Sequence, residues 1–271
     1  MPEQASRQQR RQIERERIKA GRALASSGLI AKPPREAMRD VASLLRSTLA
    51  DKRNAQRAGD AAALAHALME TSLARQPGRA EIACSKGCSY CCYTFVGATP
   101  PEIFRLADAI RHGKVAGVTP DLVRERAVET RSLPPDARTG AKIACPLLVD
   151  NACAAYSERP LVCRQTTSIS LPACKDEFEG LGSDKAAMAV STAHLAHASN
   201  AHVALLAALY SAGLPATAYE LASALDVALA TPDGERSWLA GEDIFRDLPQ
   251  RAPPPAIVHT VARQIASDLE A

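Results

Sequence analysis

No cysteine occurs before residue 84 or after residue 174, and aromatic side chains make up only 4% of the 271 residues. Few aromatics and much alanine disfavour an extensive sheet and favour helices. No apolar run approaches the ~18 residues of a membrane span, so no membrane partner is expected. The stretch Met1-Pro2-Glu3-Gln4-Ala5-Ser6-Arg7 lacks the apolar core and small-residue cleavage pattern of a secretory signal. The expected location is therefore the reducing cytoplasm, where clustered cysteines serve metals or redox chemistry more often than disulfides. Gly-rich phosphate loops, Gly-x-Ser-x-Gly elbows, a Ser/His/Asp order and internal repeats are all absent. Formal charge is only +3, which points to no particular partner.

What remains is a helical body around a sulfur-rich middle. Residues 1–33 form a basic head, with Arg7, Arg10, Arg11, Arg15, Arg17, Lys19 and Arg22 set against Glu3, Glu14 and Glu16. It reads as a solvated, flexible arm, or alternatively as an arm for nucleic acid or acidic lipid. Residues 34–271 read as one helical domain. Val41, Leu44, Leu45 and Leu49 make an apolar helical stripe; Gly59-Asp60 interrupts it, and Leu64, Leu68, Met69 and Leu73 resume it. Thr99-Pro-Pro-Glu102 is a capping box opening a helix, and Thr119-Pro120 opens another. Residues 133–144 read as a surface loop. Leu147 to Tyr156, with Asp150-Asn151 at its centre, reads as a short hairpin with a two-residue turn. Within it Cys145 and Cys153 either face opposite sides or Cys145 lies outside the ladder. Ser183-Asp184 is expected to open a long helix through Val190 to Gly213. Thr217-Ala-Tyr-Glu220 reads as a second capping box, and a last helix follows Pro253-Pro-Pro255.

The chemistry gathers in Cys84-Ser-Lys-Gly-Cys88-Ser-Tyr-Cys91-Cys92, followed by Cys145, Cys153, Cys163 and Cys174. Thiolates are soft ligands for zinc, iron–sulfur clusters or copper(I). Close spacing lets one tight turn deliver two sulfurs to one metal at about 2.3 Å each. Gly87 suits a turn that needs a permissive backbone and free N–H groups facing sulfur. Adjacent Cys91 and Cys92 are poorly placed to bond each other. Eight sulfurs allow two four-thiolate sites, or one site plus spares, and Lys86, Arg159, Arg164 and Lys175 are available to offset their charge. His194, His197 and His202 share a helix and could join a metal, although packed or solvated histidines are the commoner outcome. Trp238 reads as a local packing anchor.

The spacing Cys84-x3-Cys88-x2-Cys91, with Tyr90 before the third cysteine, resembles the radical S-adenosylmethionine signature, whose three cysteines hold a [4Fe–4S] cluster. That family's α/β barrel needs alternating strands and helices, and these are absent here. The second cluster points elsewhere. Cys145-Pro-Leu-Leu, Cys153-Ala-Ala-Tyr156, Arg159-Pro160 and Cys163-Arg164, taken with Cys84 to Cys92, resemble the YkgJ-type cysteine-cluster family of zinc- or iron-chelating proteins with a CxxCxxCC signature. The resemblance covers about residues 84–174. It implies metal ligation by Cys84, Cys88, Cys91, Cys92, Cys145, Cys153, Cys163 and Cys174. Two departures stand out: the first gap is three residues, and Asn151-Ala152 stands where a glycine is expected before Cys153.

The expected fold is mainly α, a helical body with a small irregular or β-hairpin metal module at 84–174. The expected function is chelation of Zn2+ or iron, including a [4Fe–4S] cluster, with no reaction assignable. Two alternatives belong to other classes. One is an iron–sulfur enzyme such as a protein lysine methyltransferase, by analogy with flagellin lysine methylases that carry a related domain. The other is a zinc-stabilised nucleic-acid or protein binding module.

Overall fold

The structure, a computed structural model, describes residues 34–74, 82–85, 87–180, 190–248 and 256–270. The basic head, Lys86 and the expected helix start at Ser183-Asp184 lie outside the described residues. The chain is mainly helical, with two small two-stranded sheets.

Helices α1 (Pro34–Ala50) and α2 (Arg57–Ala74) form the expected antecedent of the cysteine segment. Along α1, Ala42, Leu45 and Leu49 are buried, whereas Leu44 is exposed. The break falls at residues 51–56, not at Gly59-Asp60, which lie inside α2. Gly59 serves packing instead: a Cβ there would sit 3.5 Å from the Arg105 backbone of helix α3 (Pro100–Arg111). The first turn of α2 is capped from far along the chain, with Ala58 and Gly59 donating their N–H groups to Glu235 at 2.8 and 3.2 Å. A side chain 177 positions away does not show in the local pattern.

The box at Thr99–Glu102 forms as expected and opens α3. Thr119 caps helix α4 (Pro120–Thr130) by accepting the Leu122 N–H. Residues 133–144 are not a plain loop: Pro134-Pro135 opens a short helix α5 (Pro135–Gly140), the role proline takes in a first helical turn. Arg138 within it is buried and donates to the Tyr93 carbonyl at 3.0 Å, tying α5 to the cysteine segment.

Two-residue strands β2 (Leu148–Val149) and β3 (Ala152–Cys153) pair antiparallel as the expected hairpin. Asp150 and Asn151 at its turn have φ of 49° and 57°, the left-handed pair of a type I′ turn. Cys145 lies outside this ladder. Helices α6 (Leu161–Gln165) and α7 (Leu171–Glu179) carry Cys163 and Cys174.

The centre of the body is α8 (Thr192–Ser211), capped by Ser191. Val190 precedes it outside the helix, so the helix opens later than expected. Small alanines and Leu205, Leu206 and Leu209 bury it on nearly every side, and α1, α2, α6 and α11 (Ala256–Glu270) pack around it. The expected box at Thr217–Glu220 does not form. Tyr219 and Glu220 are extended as β4, paired with Gly97–Ala98 of β1. Glu220 then caps α9 (Leu221–Ala230) by accepting the Ser223 N–H at 2.8 Å. Trp238, in α10 (Gly234–Leu239), is fully buried against Phe104, the expected anchor.

Candidate metal centre

Backbone bonds fold the cysteine segments onto one another. The chain turns at Gly87, whose φ of 94° a side chain rarely adopts, and Cys88 N–H closes the turn on the Ser85 carbonyl. A 3-10 turn at Tyr90–Tyr93 holds Cys91 and Cys92. Cys145 N–H donates to the Cys92 carbonyl at 2.7 Å, and Ala154 N–H to that of Leu147 at 2.8 Å, which joins the first cluster to the hairpin. On the other side, Ala83 N–H reaches the Ser168 carbonyl, and Ser168 N–H donates to the Cys84 sulfur at 3.3 Å.

The result is a cavity of about 590 Å³ lined by Cys84, Cys88, Cys91, Cys92, Cys145, Cys153 and Cys163. Cys174 does not line it. The helical body adds Glu70, Leu73, His194 and Leu221 to a wall otherwise built by the cysteine segments themselves. All eight cysteines are free thiols.

Most of these thiols are held protonated. Burial pushes Cys145 up to about 12 and Cys163 well above its ordinary value. It raises Cys84, Cys88 and Cys153 as well. Cys91 goes the other way, first because Cys92 donates a hydrogen bond to it and then, against burial, because Arg159 is near. Cys92 is pushed up by the same bond and by burial. Against burial, the backbone N–H groups of Tyr90, Leu147 and Ala155 pull Cys88, Cys145 and Cys153 respectively back toward the thiolate. Oriented N–H groups favour the thiolate over the thiol.

Of the cations expected to offset thiolate charge, the three among the described residues separate. Lys175 is exposed beside Glu179. Arg164 is buried and bonds to the Ser157 and Arg159 carbonyls at 2.6 and 2.9 Å and to Glu70, so it braces a loop. Arg159 is the cation whose field reaches Cys84, Cys91, Cys153 and Cys163. It lies 4.2 Å from the centre of the Tyr156 ring. Its loop is fixed further by Arg105 with Glu158 at 2.9 Å and by Leu161 N–H donating to Glu102 at 2.6 Å. The capping-box pattern marks Glu102 in the sequence, but its bond to the distant Leu161 N–H shows only in the structure.

The histidines are engaged in the body. His194 Nε2 lies 3.0 Å from the Arg164 carbonyl, and His197 Nδ1 lies 3.2 Å from Ser72 Oγ. Of these, His194 lines the cavity and His197 does not.

The donor set fits a soft metal: thiols in quantity, N–H groups aimed at sulfur, and one shared cation. As the side chains stand, no three His, Cys, Asp or Glu donors among the described residues are grouped tightly enough to hold one ion. Tetrahedral zinc at about 2.3 Å from each sulfur needs them drawn inward around it.

Residues 83–186 match the family model "CxxCxxCC: Putative zinc- or iron-chelating domain". No curated protein and no solved structure matches the chain. No helix among the described residues is long and apolar enough to cross a membrane. All eight cysteines lie inside the segment, residues 83–186, that matches this family model.

Proposed function

We propose that the protein chelates zinc or iron through its cysteines, in a reducing compartment such as the cytoplasm. One observation carries the reading: seven cysteines from four separate segments line a single cavity. Burial keeps most of them protonated, so a cation of high thiolate affinity is what brings their ionised forms together. Arg159 offsets part of the negative charge that a four-thiolate divalent site accumulates.

Anaerobic purification followed by elemental analysis tests this. At least one equivalent of zinc or iron per chain is expected. Brown protein with acid-labile sulfide identifies an iron–sulfur cluster, and colourless protein without sulfide identifies zinc. A fully folded protein that takes up neither metal when supplied refutes the proposal.

A further inference from the structure

We propose that the eight cysteines divide into two sets of four, Cys84, Cys88, Cys91 and Cys174 in one and Cys92, Cys145, Cys153 and Cys163 in the other, each drawing ligands from both ends of the module. This rests on the chelation reading above.

The first set is assembled by α7. Ser168, just ahead of that helix, bonds the Cys84 sulfur and the Ala83 N–H, which places the helix beside the first cluster. Its far end is fixed by Phe178, whose ring packs 5.6 Å from Tyr90 and 5.0 Å from Tyr93. Cys174 lies in the first full turn between these anchors. Cys84 and Cys88 accordingly both sit in the fields of Cys91 and Cys174.

The second set is assembled by the hairpin. The Cys92 carbonyl holds the Cys145 N–H, and the β2–β3 ladder with its Ala154-to-Leu147 bond brings Cys153 alongside. Cys92 and Cys163 both sit in the fields of Cys145 and Cys153, and Cys91, whose field reaches them too, lies on the border between the sets. The division therefore falls between adjacent residues Cys91 and Cys92, and the hydrogen bond between their thiols is given up when each turns to its own metal. Each site closes a chain loop of more than fifty residues, and a metal that does so constrains the unfolded chain. The sets differ in depth: Cys84 is exposed, whereas Cys145 is buried.

Metal content of Cys→Ser variants is the test, with the wild type measured alongside. C174S and C88S are each expected to lose the same single equivalent, and the C88S/C174S double variant to lose no more. C145S and C163S are expected to lose the other equivalent, and C163S/C174S to lose both. Should a variant misfold, graded chelation of the wild type with timed alkylation reads the same grouping: Cys84, Cys88 and Cys174 become labelled together and ahead of Cys145, Cys153 and Cys163. Cys174 labelled with Cys163 and apart from Cys84, or equal loss in C174S and C163S without addition, overturns the division while leaving chelation intact. A wild type that binds no metal overturns both.

Discussion

The Cys145 N–H donates to the Cys92 carbonyl at 2.7 Å, across 53 positions of chain. This backbone bond sets two proposed ligands side by side. The junction between the clusters is thus built by the backbone, while the placing of sulfur is left to side-chain rotation.

Removing metal should loosen the middle and spare the ends. Helices α1, α2, α8 and α11 bury Leu45, Met69, Leu205 and Ile265 without help from sulfur. Hydrogen exchange on metal-free and loaded protein is expected to show lost protection concentrated in residues 84–174. Even loss along the whole chain would contradict this.

Metal uptake should release protons and strengthen with pH. The buried thiols are raised above their ordinary range, so they ionise only as metal displaces the proton. Apparent affinity is expected to rise up to about tenfold per pH unit for each proton released, read by competition with a coloured chelator between pH 6 and 8. The metal-free form runs the opposite way. Cys145 titrates at about 12 when folded against 9.0 ordinarily, so its contribution to stability is intact below 9 and is lost as pH rises toward 12.

Glu102→Gln should destabilise the fold by about 3 kcal/mol, the scale of buried charge-assisted hydrogen bonds. The carboxylate accepts the Thr99 N–H and O–H on one oxygen and the Leu161 N–H on the other. An amide must turn its own N–H toward one of these donors. Burial tends to raise this carboxyl, but His66, His202 and Thr99 outweigh it and bring it to about 2 from 4.5. Its share of stability is therefore present above pH 4.5 and lost as pH falls toward 2. Thermal melts of both proteins from pH 3 to 7 should draw closer toward the acid end.

Arg159→Gln should weaken metal binding by about 10- to 100-fold, the usual scale for outer partners of a metal site, with little change in melting temperature of the metal-free protein. The residue stacks on exposed Tyr156 and its field reaches four thiols, but the loop is held by Arg164, Glu158 and Glu102. Unchanged affinity would remove Arg159 from the site.

Helices announced by their own boundary residues were legible: α3 from Thr99 and Glu102, and α11 from the prolines ahead of it in the sequence. So was the hairpin, because Asp150-Asn151 tolerate the left-handed turn. What failed depended on partners distant in sequence. Gly59 reads as a helix breaker until Arg105 is seen against it, and Tyr219-Glu220 reads as a capping box until Gly97-Ala98 pairs with it. The cysteines were legible as a group from composition alone. Their neighbours within the cavity were not, since Arg159 and Arg164 look alike in sequence and differ only in which groups they face.

The pairing of β1 with β4 carries one more consequence. It brings Leu221 to the cavity wall, bonded through its N–H to the Val96 carbonyl, while Leu73 arrives from α2. Neither lies in the matched segment 83–186. The dielectric around the sulfurs, and with it the redox potential or exchange rate of whatever metal they hold, is governed partly by aliphatic carbons that the cysteine segment does not encode.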